Sequence, residues 1–343
     1  MNWENPFPEK IFQNREWLIN NHYKETKNMS GYILELSENV ARERVVYKNR
    51  YGLDIVGELY YAKNLDLDKK HAALVVGAPY GGVKEQGPCV YGNELAQMGF
   101  IILTFDQSFM GESGGFPRNV SSPDIFVENF SAAVDFLGLQ SFVDREKIGV
   151  IGICGSGGFA LSAAQCDTRI KAVATLSMYD MSFAGRGLMD KETLQATKER
   201  LSQQRWVDAE NGYPEYNPFF PEHPIDAVPA DLPEPAAEWF RFYALKRGHH
   251  IHALGGFTTT SDLAFLNFRL LDFIDEISPR PILFVVGDRA HSRFFSDNAY
   301  AAAAEPKEMY VVNDAEHIDL YDRRDRIPFE KLHDFFATYL KMS

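Results

Sequence analysis

Six apolar runs recur along the chain at intervals that leave room for a helix: "AALVVGA" (72–78), "FIILTFD" (100–106), "KIGVIGI" (147–153), "IKAVATLSM" (170–178), "RPILFVVGD" (280–288) and "KEMYVVND" (307–314). Their hydrophobicity is continuous rather than alternating, the mark of strands covered on both faces. Helix-like segments stand between several of them, "GNELAQMG" (92–99), "DIFVENFSAAVDFLGLQ" (124–140), "FSDNAYAAAA" (295–304) and "PFEKLHDFFATYLKM" (328–342). Strand–helix alternation of this kind predicts an α/β chain with a mostly parallel sheet flanked by helices. Ahead of it, "RERVVYKNRYGLDIVGELYYAKN" alternates apolar and polar residues around Tyr51-Gly52, which predicts a β-hairpin.

The rhythm breaks between Met181 and Ser278, a Pro- and aromatic-rich stretch with helical pieces such as "KETLQATKERLSQQRW". The expected organisation is an N-terminal arm over 1–42, a core over 43–180 and 279–343, and an inserted helical cap over 181–278. With 343 residues, 45% of them hydrophobic, the chain has ample material for one large core. A formal net charge of −13 without a basic run disfavours nucleic acid and anionic membrane as partners. The apolar runs are too short to span a bilayer, and "MNWENPFPEK" lacks the basic and apolar regions of a signal peptide. Three cysteines, Cys89, Cys154 and Cys166, do not make a disulfide framework, and a reducing, cytoplasmic setting is expected.

The stretch "KIGVIGICGSGGFALSAAQCD" (147–167) carries the chemistry. A strand ends at Ile153, small residues crowd the turn, and a helix follows. A nucleophile elbow needs such a strand–turn–helix, with small residues two before and two after the nucleophile. Gly152 and Ser156 flank Cys154 at that spacing. Ser156 as nucleophile would have Cys154 and Gly158 at those positions, but it falls inside the first helical turn. The expected nucleophile is therefore Cys154. A helix N-terminus favours an anion, so the thiol is expected to have a lowered pKa. Cys166 and Cys89 read as buried free thiols.

Acyl chemistry also needs a base, an orienting acid and an oxyanion hole. His317 in "VVNDAEHIDLYD" follows the last strand-like run, at the sheet edge shared with Cys154, and is the expected base. His291 is its competitor. Asp288, ending "PILFVVGD", is the first choice for the acid and Asp180, in "SMYDMS", the second; Asp319 lies too close to His317 in sequence. The oxyanion donors are expected to be the N–H groups of Gly155 and Tyr80, since Pro79 cannot donate and Gly81 and Gly82 let the chain turn. The segment "FDQSFMGESGG" (105–115) lacks the Lys-Ser/Thr pair of a phosphate loop and reads as structural. His249, His250 and His252 match no zinc spacing, so neither a metal nor another cofactor is expected.

Taken together, "GAPYGGVKEQ", "FDQSFMGESGG", "GICGSGGFA", "ISPRP", "SMYDM", "NAYAAAAEPKE" and "EHIDLYD" resemble segments of the α/β-hydrolase superfamily. The closest likeness is to an esterase-like group related to dienelactone hydrolase, and it spans about Glu43 to Tyr339. The resemblance implies an eight-stranded sheet and a triad in which Cys154 matches the nucleophile and His317 the base. Two positions depart from the pattern. Many hydrolases place the acid three residues after the strand-end glycine, which is Ala290 here, and Ala78 stands where the related loop often carries His. The expected activity is hydrolysis of a carboxylic ester, lactone or thioester through a Cys154 acyl-enzyme, on a small acyl substrate. Acyl transfer on the same triad and a non-catalytic ligand-binding role are the rivals, and a homodimer is allowed.

Overall fold

The computed structural model describes residues 31–187 and 189–342. Its centre is one eight-stranded sheet: β1 (Val40–Lys48), β2 (Asp54–Ala62), β3 (His71–Gly77), β4 (Ile101–Phe105), β5 (Val143–Ile153), β6 (Ala172–Leu176), β7 (Ile282–Gly287) and β8 (Lys307–Val312). The spatial order is β1-β2-β4-β3-β5-β6-β7-β8. The two N-terminal strands pair antiparallel, β2 also runs antiparallel to β4, and every later pairing is parallel. The hairpin closes where the sequence places it, with Gly52 at φ 80°.

Continuous hydrophobicity has the expected consequence. Along β3, Leu74 and Val76 enter one core while Ala73 and Val75 enter the other, because successive side chains leave opposite faces of a strand. One face is covered by α1 (Gly87–Gln97) and, near the C-terminus, by α10 (Phe329–Tyr339). The other is covered by α2 (Pro123–Gly138), α3 (Gly155–Cys166) and α8 (Arg293–Ala302). Helix α1 starts five residues earlier than the apolar pattern suggests, and Pro88 occupies its first turn, where a missing N–H costs nothing.

Between β6 and β7 run the helices α4 (Met181–Arg186), α5 (Lys191–Asn211), α6 (Ala236–Tyr243) and α7 (Asp262–Asn267). Among the described residues this segment has only isolated bridges, Tyr216 to Thr258 and Phe219 to Gly255, and no sheet strand. The short α9 (Asp319–Asp322) lies between β8 and α10. Of the expected arm, residues 1–30 lie outside the described residues. Tyr32, Ile33, Leu34 and Leu36 pack on the core cluster, and Ile33 N donates to the Glu85 carbonyl at 3.1 Å. No helix among the described residues is long and apolar enough to cross a membrane.

Candidate active site

Cys154 stands at the end of β5, immediately before α3, with φ 54° and ψ −123°. A β-carbon is strained there, and the surroundings hold it in place. Its N–H donates to the Leu176 carbonyl, and its own carbonyl accepts from Gly157 N and Tyr179 N, all at 2.9 Å. The crossing of strand and helix explains Gly152: a Cβ there would lie 2.2 Å from the Ser156 carbonyl oxygen. Ser156 itself is buried, and its hydroxyl lies 2.8 Å from where a Cβ on Gly77 would sit, so it turns under β3.

The thiol meets three hydrogen-bond partners: the Tyr321 phenol and the N–H groups of Gly155 and Tyr80. The loop carrying Tyr80 is fastened from two sides. Its ring stacks on Phe257 at 4.2 Å, and further along the loop Lys84 reaches Asp106 at 3.0 Å and Glu112 at 2.8 Å and also bonds Glu85. Burial opposes the charge on Lys84, but these carboxylates outweigh it and keep the ammonium charged. The glycine-rich segment at 105–115 is thus the anchor of that loop, Asp106 also accepting the N–H groups of Lys84 and Glu112. Glu85, Asp106 and Glu112 are close enough together to hold a cation, and the Lys84 ammonium supplies one. Among the histidines of "RGHHIHALGG", His249 bonds the Pro221 carbonyl and His250 accepts from His252 N.

One expectation about the thiol is overturned. Burial raises the Cys154 pKa, outweighing Tyr321 and the two N–H groups, so the resting group is a thiol rather than a thiolate. A helix N-terminus lowers a thiol pKa only where the charge is also partly solvated, and here desolvation wins.

His317 is fully buried, with Nδ1 2.6 Å from the Ser292 hydroxyl and Nε2 2.8 Å from the Tyr321 hydroxyl. Burial, with the nearby His291, pushes its pKa down to about 3 against the pull of Glu238. Tyr321 therefore stands between the His317 imidazole and the thiol, and the order is Ser292, His317, Tyr321, Cys154.

Asp288 is not the partner of His317. Its N–H still continues the ladder to Val312, which leaves its side chain exposed, where it accepts from Ala315 N at 3.3 Å. The chain turns inward only after it, so Ser292 of the same loop is the hydrogen-bond partner of the imidazole Nδ1. The alternative acid, Asp180, caps α4 by accepting from Ser182 N and Phe183 N. Asp319 accepts from Glu316 N.

The carboxylate near the site comes instead from α6. Glu238 Oε2 lies 2.7 Å from His291 Nδ1, its Oε1 accepts from Ile318 N at 2.9 Å, and His291 Nε2 lies 2.9 Å from the Tyr179 hydroxyl. Burial opposes ionisation of Glu238, but His291, the Ile318 N–H and His317 outweigh it and hold the carboxyl below its usual range. The two imidazole rings are 4.7 Å apart. Tyr321, Ser292, Tyr179 and Glu238 were not anticipated. The first lies four residues after His317, so a helical turn would have pointed to it. Glu238 had one weak signal, an acid among the apolar residues of "AAEWF", and it is 5% exposed.

The chain is 48% identical to the uncharacterized protein PA2218 of Pseudomonas aeruginosa, over 89% of this chain and 82% of that protein. The crystal structure of PA2218 superposes with a TM-score of 0.87 at 45% identity, covering 91% of this chain and 98% of the other. The structure of the α/β hydrolase GrgF from Penicillium sp. sh18 has the same fold, with a TM-score of 0.74 at 22% identity over 88% of this chain and all of the other. The chain belongs to the same family as PA2218 and has the α/β-hydrolase fold. Residues 125–224 of the chain, which include the elbow, match the family described as BAAT / Acyl-CoA thioester hydrolase C terminal. A shorter stretch is 32% identical to thiohydrolase aneE of Aspergillus aculeatus, over 36% of this chain and 38% of that protein.

Proposed function

We propose that this hydrolase cleaves a thioester, and more slowly an ester or lactone, through a covalent acyl intermediate on Cys154. The observation that carries the reading is the thiol itself, set at a strained elbow with the Gly155 and Tyr80 N–H groups on one side and the Tyr321–His317 chain on the other. Sγ attacks the carbonyl carbon. The thiol proton passes to the Tyr321 oxygen as the Tyr321 proton passes to His317 Nε2. The carbonyl π pair moves onto oxygen, where the two N–H groups stabilise it. Collapse expels the leaving thiolate, which takes the proton back along the same chain, and leaves acyl-Cys154.

Two features support a thioester. A fully buried imidazole whose pKa is about 3 is a weak base, and a thiol, with an ordinary pKa of about 8.5, is far easier to deprotonate than an alcohol. A thiol leaving group likewise needs little help in departing. The partial match to an acyl-CoA thioester hydrolase family points the same way. Trp239, Phe242 and Tyr243 of α6 pack on the core cluster that includes Cys154, which suits an apolar acyl chain.

The test is a panel of acyl thioesters of increasing chain length with intact-mass analysis at single turnover. The expected result is an acyl adduct on Cys154 and loss of turnover in Cys154→Ala. An adduct on another residue, or unchanged turnover in Cys154→Ala, refutes the assignment. Added thiols or amines in the same assay reveal acyl transfer by the appearance of their acylated products.

A further inference from the structure

Two hydrogen-bonded chains of the same kind converge on the elbow. The first runs from Ser292 through His317 to Tyr321 and the Cys154 thiol. The second runs from Glu238 through His291 to Tyr179, whose backbone N–H is bonded to the Cys154 carbonyl. Resting on the acyl-enzyme reading above, we propose that the second chain serves the second half-reaction: Tyr179, backed by His291 and Glu238, takes the proton of the incoming O–H acceptor that deacylates Cys154.

The chains differ in three ways, and each difference fits this division. The first concerns polarity. An ionised carboxylate only accepts, so Glu238 makes His291 Nδ1 the donor and leaves Nε2 to accept from the Tyr179 hydroxyl. The Tyr179 oxygen is then free to accept from an acceptor O–H. In the first chain both ends of His317 meet hydroxyls, which donate or accept, so no partner fixes which ring nitrogen carries the proton.

The second difference is strength. An imidazolium on His291 faces a hydrogen-bonded carboxylate at 2.7 Å, whereas one on His317 has only hydroxyls, those of Ser292 and Tyr321, as hydrogen-bond partners. Water and alcohols are much weaker acids than a thiol, so activating them needs the carboxylate-backed base. The third is access. The His317 side is sealed, but the His291 side chain is 23% exposed and opens towards solvent.

In the deacylation step, the acceptor oxygen attacks the Cys154 thioester carbon while its proton moves to the Tyr179 oxygen and the Tyr179 proton moves to His291 Nε2. The tetrahedral oxyanion again lies between the Gly155 and Tyr80 N–H groups. Collapse breaks the C–S bond, and the proton held on His291 returns through Tyr179 to the sulfur, which restores the resting enzyme.

Stopped-flow release of 4-nitrothiophenol from its hexanoyl thioester separates the two half-reactions. Tyr179→Phe and His291→Gln are expected to keep the burst rate within about threefold of the parent chain while steady-state turnover falls about 10²-fold. Intact mass should show hexanoyl-Cys154 accumulating in both variants. Hydroxylamine, an acceptor that needs no base, should raise their turnover at least about tenfold. The retained burst shows that the site is folded. A burst and turnover that fall together, no change in either, or no rescue by hydroxylamine each overturns the second-chain assignment while leaving the Cys154 reading intact. Absence of any adduct on Cys154, in the parent chain and both variants, overturns the Cys154 reading and this one with it.

Discussion

Tyr321→Phe removes one oxygen atom and leaves the ring, which packs edge-on against Phe242 with centroids 5.2 Å apart. That oxygen is the hydrogen-bond partner of His317 Nε2 at 2.8 Å and of the Cys154 thiol. Two effects follow. A fully buried imidazole nitrogen is left unpaired, which costs about 1–3 kcal/mol of stability. The proton path from thiol to base is also cut, and a positioned acid–base group is worth about 10²–10⁴ in rate. The expected outcome is a fall in the acylation burst of that size, with a urea midpoint shift corresponding to the lost hydrogen bond. His317→Gln should lower the burst by a similar factor. Because the two residues act as one path, the double variant should be no worse than the poorer single one. The burst is measured with the 4-nitrothiophenyl thioester under single-turnover conditions. Multiplicative losses in the double variant, or a Tyr321→Phe burst within about threefold of the parent chain, would show that His317 takes the thiol proton without the phenol, and the relay would be refuted.

Asp288→Asn should change turnover by less than about twofold and stability by less than about 0.5 kcal/mol, since the carboxylate is exposed; a large loss of turnover would restore it as the acid. Lys84→Met leaves Asp106, Glu85 and Glu112 without their shared ammonium and is expected to destabilise the chain by about 3–5 kcal/mol, read by urea unfolding; a neutral result would show that the carboxylates are already protonated. His250 is buried, and burial pushes its pKa down to about 3. Between about pH 6.5 and 3 the unfolded chain therefore binds a proton there that the folded chain does not, so stability falls as pH falls. His250→Gln should flatten that loss by up to about 1.4 kcal/mol per pH unit in urea unfolding between pH 7 and 4, and equal slopes would refute it.

The strands were legible because burial on both faces writes a continuous apolar run into a few consecutive residues, as "AALVVGA" and "FIILTFD" do. The elbow was legible for the same local reason. Gly152, Cys154 and Ser156 are set by backbone contacts within one turn, and only small residues survive them. The two N–H groups beside the thiol share this character, since Pro79 excludes itself and the next N–H is Tyr80. The acid was misread because a strand-end position says where a residue sits but not which way its side chain leaves. Asp288 continues the ladder and points out, and Ser292, four residues on, points in.

The thiol pKa was misread for a related reason. A helix N-terminus is visible in sequence, but the burial that overrides it comes from residues brought over the turn by folding. Glu238 belongs to the same class. It lies 53 residues before His291 and 80 before Ile318, and no spacing rule spans such gaps. What the chain carries locally is the sheet, the elbow, the thiol and the two histidine-bearing loops, because each depends on neighbours within a turn or a strand. Which imidazole receives a carboxylate, which receives a hydroxyl, and whether the thiol rests protonated were decided by the tertiary structure, because hydrogen bonding and desolvation depend on distances that only the folded chain sets.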